Sequence, residues 1–122
     1  MTRALLLALL LSSCSMVNYS SRPADFPTLI ERLHQYDTSA GVRDACGSLY
    51  EAYGQSVPFA LIACSHWRFD TLTCDVYVQR GDEGTLEHER GHCRGYDHYG
   101  ESTIADAWRA WSVPKRTGLT QL

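Results

Sequence analysis

Methionine does not occur after Met16, no C-x-x-C pair is present, and lysine and arginine never cluster. Each absence removes a class of protein. Without cysteines paired at that spacing, a cysteine-rich structural zinc module is disfavoured. Fourteen acidic side chains face eleven basic ones, a formal net charge of −3, and with no basic patch the balance argues against nucleic acid as a partner. No internal repeat or low-complexity segment divides the chain. The apolar run from Ala4 to Leu11 is too short to cross a bilayer as a helix.

That run follows Arg3 and precedes Ser12, Ser13 and Cys14, the layout of a secretory signal peptide. Leu11-Ser12-Ser13-Cys14 also resembles a bacterial lipobox, which implies removal of residues 1–13 and acylation of Cys14. Multiple acyl chains on one cysteine give a stable anchor, since each buried methylene contributes about 0.8 kcal/mol. Ser15, where an aspartate would retain a lipoprotein in the inner membrane, points to the outer membrane, facing the periplasm. Residues 14–24 then form a lipidated tether, residues 25–116 the folded domain and residues 117–122 a tail. The mature chain keeps ten basic and fourteen acidic side chains, a net charge of −4.

With Cys14 lipidated, Cys46, Cys64, Cys74 and Cys93 remain, an even set in a chain bound for an oxidising compartment. Four cysteines allow three connectivities. Thr73 to Gln79 alternates and is rich in β-branched residues, so it reads as a strand, and a loop over Arg80 to Gly84 leads to a helix starting near Thr85. If strand and helix run antiparallel, Cys74 lies about 17 Å back along the strand and Cys93 about 12 to 13 Å along the helix. The two sulfurs are then level. This favours Cys74–Cys93, leaving Cys46–Cys64 by elimination, over the other two pairings.

Residues 88–98 read HERGHCRGYDH. His88 and His92, four residues apart, share one helical face, and Glu89 lies beside them. A ligand at His98, ten residues along a straight helix, would sit about 15 Å from His88. Gly95 resolves the conflict, because a glycine just past the helix end takes the left-handed conformation without a Cβ penalty and lets the chain return. Three neutral imidazoles leave a fourth position of a zinc ion open, the arrangement of a catalytic site.

The full string H-E-x-x-H-x-x-G-x-x-H resembles the metzincin branch of zinc metallopeptidases. The resemblance implies Zn2+ held by His88, His92 and His98, with Glu89 as general base and then general acid. It covers about eleven residues strongly. The methionine that those enzymes carry beneath the metal has no counterpart downstream of His98, so Ile104 or Trp108 is expected at the floor of the site. Tyr99, and less so Tyr96, is a candidate for stabilising an oxyanion. Glu87 reads either as a solvated charge or as an acceptor for a ligand imidazole, and His34 and His66 as surface or core histidines.

Elsewhere, Leu29, Ile30, Leu33 and Tyr36 form a stripe that predicts a helix over 27–37, and Ala45, Leu49, Ala52 and Tyr53 predict another over 43–53. Pro58 to Phe69 predicts a strand paired with 73–79 across Asp70-Thr71. Ile104, Ala107, Trp108 and Trp111 predict a last helix closed by Pro114, with Thr103 and Asp106 as its capping pair and both tryptophans in the core. The fold class is α+β, a small single zincin-like domain in which a short sheet packs on a metal-binding helix. The expected substrate is a peptide or protein, or a cell-wall peptide if the enzyme is an amidase. The competing expectation is a zinc-binding lipoprotein that acts as a scaffold in an envelope secretion or conjugation assembly.

Overall fold

The computed structural model describes residues 22–117, so the leader, Cys14 and the start of the tether lie outside the described residues. The order is β1 (Ile30–Tyr36), α1 (Ser39–Ala52), β2 (Cys64–Arg68), β3 (Thr73–Gln79), α2 (Glu83–Cys93) and α3 (Thr103–Thr117). The three strands form one sheet in the order β1-β3-β2. β2 and β3 pair antiparallel, with Cys64 opposite Tyr77 and Arg68 opposite Thr73, while β1 joins the far side of β3 in parallel, with Ile30 opposite Thr73. The fold is α+β.

Period-two alternation directs Cys74, Val76 and Val78 to one face of β3, where they pack with Leu86 and Cys93 of α2 and with Phe26, Leu29 and Ile104. The other face meets α1, where Val42 and Cys46 are fully buried and Tyr77 packs against them. A strand covered on both faces can hold a domain of this size together. Each face also has a covalent tie: Cys74–Cys93 fixes β3 to the end of α2, and Cys46–Cys64 fixes α1 to β2. Loops of 18 and 19 residues are closed, each contributing about 3 kcal/mol in the chain-entropy account. This is the pairing favoured by the strand and helix lengths.

Residues 30–36 are a strand, where a helix over 27–37 was expected. The apolar stripe is split, since Leu29 is buried and Tyr36 packs beside α1 while Ile30 is 66% and Leu33 45% exposed. The polar alternation decides the structure instead. Arg32 and His34 fall on one face, directly over Asp75, and β3 offers seven consecutive parallel partners. α1 starts earlier than expected because Thr38 caps it, its hydroxyl accepting from the Gly41 amide at 3.1 Å. Only 64–68 of the expected strand over 58–69 pairs. α2 likewise begins at Glu83, capped by Asp82, which accepts from the Thr85 amide and hydroxyl. α3 runs one turn past Pro114, and Ser102, rather than Thr103, pairs with Asp106 at its start. Among the described residues no helix is long and apolar enough to cross a membrane.

Asp75 is 2% exposed on the central strand and receives three bonds of 2.8 Å, two from the Arg32 guanidinium and one from His34. Burial alone would raise its pKa, but the hydrogen bonds and charge of Arg32 and His34 outweigh burial and hold it below the ordinary value. A depressed folded pKa contributes stability that is complete above the unfolded value of about 3.9 and is lost as pH falls through the folded value. Asp75→Asn should therefore lower stability at pH 7 by about 1.5 to 3 kcal/mol and flatten the acid limb below about pH 4. Urea unfolding at a series of pH values measures both effects.

Candidate metal centre

α2 is a polar helix that belongs to the fold through few residues. Leu86 and Cys93 enter the core, while His88, Glu89 and His92 turn toward a cleft of about 660 Å³. The helix ends in paired reverse bonds: the Gly95 amide donates to the His92 carbonyl and the Tyr96 amide to that of Gly91, both at 3.0 Å. Gly95 has φ +97°, and a Cβ placed on it would stand 2.7 Å from the Phe26 ring. Both the backbone angle and the space demand glycine there. Phe26 in turn is buried against Phe69 and Trp108 in edge-to-face contacts, so the core itself presses on the turn.

The reversal brings His98 back over the helix. Its Nε2 lies 2.9 Å from that of His88, and the His88 Nε2 lies 3.2 Å from that of His92. Three ring nitrogens thus face one point, and this group could hold a metal ion. Two of the three rings are held from behind. His92 Nδ1 donates to the Tyr96 carbonyl at 2.7 Å, and His98 Nδ1 to the Glu101 carboxylate at 3.0 Å, which sets each ring with its Nε2 toward the point where the three converge. Burial, followed by the proximity of His92 and His98, lowers the pKa of His88, which favours the neutral form that a metal requires.

Glu89 is 8% exposed and points into the cleft, where it is hydrogen-bonded to Ser65 of β2. Burial raises its pKa, against the opposing influence of His92, the Ser65 bond and His98. Ile104, 3% exposed, lines the same cleft. Ile104 also belongs to the core cluster, against which Trp108 packs. Comparison of the chain with protein-family models, curated proteins and solved structures gives no match.

Other side chains take plainer positions. Tyr99 is 83% exposed and is not among the residues lining the cleft; the phenol that lines it is Tyr50 of α1, whose pKa is raised by burial and then by Glu89. Tyr96 contributes its carbonyl. Glu87 forms an exposed pair with Arg90, and His34 and His66 bond Asp75 and the Tyr53 hydroxyl, apart from the triad. Neither Ser65 nor Tyr50 has a local sequence signal, since tertiary packing alone brings them to Glu89. Glu101 had a weak one, three residues after His98.

Gly95→Ala should cost about 2 to 4 kcal/mol, from the unfavourable angle and the collision with Phe26 together. Denaturant unfolding of the metal-free protein reads this directly. A loss under about 0.5 kcal/mol would show that the turn accommodates a side chain.

Proposed function

We propose that the protein is a zinc-dependent hydrolase, a small metallopeptidase of zincin type that acts in the bacterial envelope. The observation that supports this most is the convergence of three imidazole Nε2 atoms beside a buried carboxylate that is not itself one of the converging group. Nitrogens about 2.0 to 2.1 Å from a tetrahedral zinc stand about 3.3 Å apart, close to the 2.9 and 3.2 Å seen here. The donor set also fits, because all three ligands come from imidazole and two are held by an oxygen on the opposite ring nitrogen.

Bound zinc would polarise the scissile carbonyl and make a water molecule acidic near neutral pH. The protein residues do the rest. His88 and His92 project from one turn of α2, His98 closes the third side, and the cleft admits substrate over them. Glu89 takes the proton from the attacking water and delivers it to the leaving amine, acting first as base and then as acid. The apolar setting that raises its pKa matches this double use, and the Ser65 hydroxyl fixes its direction. A purely structural metal site has no need of such a carboxylate and would close its fourth position with another protein ligand. Under this reading the Cys14 anchor places the domain at the outer membrane, within reach of peptide or protein substrates.

The purified protein should bind about one zinc, and His88→Ala, His92→Ala or His98→Ala should each abolish tight binding. Glu89→Gln should keep metal content and fold while hydrolysis falls about 10² to 10⁴-fold. Metal analysis of each variant, together with turnover of mixed peptides and cell-wall fragments, tests these points. Equal turnover by zinc-loaded Glu89→Gln would remove Glu89 as the base.

A further inference from the structure

The metal cleft continues into a second cavity of about 720 Å³, and Tyr50, Cys64, Ser65, Trp67 and Thr103 border both. Edge strand β2 runs along this space, with the last turn of α1 on one side and α3 on the other. α3 has two distinct faces. Ile104 and Trp108 pack into the core. Thr103, Ala107, Ala110 and Trp111 recur at i, i+4, i+7 and i+8, the spacing of one helical face, and all four line the second cavity.

Beyond Thr103 that face is apolar, yet among the described residues it belongs to neither core cluster. Two alanines stand where any larger residue would fill the space, and Leu49, Tyr53, Phe69 and Trp111 supply apolar surface around them. Gln55, His66, Arg68 and Asp70 also border the cavity, and the apolar surface beside them rewards burial of a large apolar group. The position of the cavity gives its reach. Thr103 borders the metal cleft and Trp111 lies eight residues on, about 12 Å along α3, the span of three to four residues of extended peptide.

We infer that the second cavity is a specificity subsite of the metal cleft. The substrate is an extended polypeptide segment with a large apolar or aromatic side chain three or four residues from the scissile bond. Cell-wall peptides, whose short side chains would leave the space between Leu49, Tyr53, Phe69 and Trp111 unfilled, are disfavoured. The inference rests on the hydrolase reading and names the substrate class for that site. Trp111, expected in the core from its spacing, becomes part of the subsite wall.

The test uses zinc-loaded full-length protein and three peptide hydroxamates of equal length, titrated by calorimetry. One carries tryptophan at the third and fourth positions from the hydroxamate, one glycine throughout, and one alternating alanine and glutamate. The tryptophan compound should bind about ten- to a hundredfold more tightly than the glycine compound. Ala110→Trp, an exposed substitution that fills the cavity, should abolish that preference and leave glycine hydroxamate affinity within about twofold. Ala107→Trp serves as a second filling variant should the first fold poorly. Equal binding of the tryptophan and glycine compounds would overturn the inference, as a cavity filled by another part of the chain or a second copy would produce. A preference that survives both filling variants would also overturn it, as would tightest binding of the alanine-glutamate compound. Failure of all three compounds to bind zinc-loaded protein would instead strike the hydrolase reading beneath it.

Discussion

A third histidine ten residues from the first can reach the same point only if the chain reverses on itself, and the rest of the domain is arranged to hold that reversal. Gly95 supplies the backbone angle, the bonds from Gly95 and Tyr96 back to His92 and Gly91 close the helix end, and Phe26 occupies the space a side chain would need. The Cys74–Cys93 bond fixes the last residue of α2 to the central strand, directly before the turn. Asp97 continues the restraint: one of its oxygens accepts from the His98 amide and the other from the amide of Ile104, so the returning segment is tied to the first turn of α3.

This arrangement suits a domain with little core. β3 is buried on both faces, and each face carries one disulfide to a helix or neighbouring strand. The buried charge on that strand, Asp75, is fully paired with Arg32 and His34, so the sheet pays no penalty for an orphaned carboxylate. The polar cluster and the histidine triad lie on opposite sides of the sheet. The histidine triad is thereby kept apart from the ion pair that joins β1 to β3.

The features legible in the sequence were those written in local spacing. The strand at 73–79 alternates over its whole length, the histidine string carries its own turn residue, and the rise back along the strand to Cys74 and along the helix to Cys93 made one disulfide pairing fit best. β1 was not legible, because Leu29, Ile30, Leu33 and Tyr36 satisfy helical spacing while the feature that decides, pairing of Arg32 with Asp75, lies 43 residues away. The cleft shows the same division. His88, Glu89, His92 and His98 sit in one string, whereas Ser65 and Tyr50 arrive from other elements through packing that no local pattern records. Trp111 fell on the apolar stripe of α3, but its helix has two apolar faces, and only the one with Ile104 and Trp108 enters the core.

The central claim is that three imidazoles hold a zinc ion with one position left for water or substrate. X-ray absorption at the zinc edge on the purified, stoichiometrically loaded protein measures this without reference to any substrate. The account predicts three nitrogen scatterers with imidazole signatures and one further light atom, all about 2.0 to 2.1 Å from the metal. A sulfur scatterer near 2.3 Å, or a shell containing fewer than three imidazoles, would contradict it.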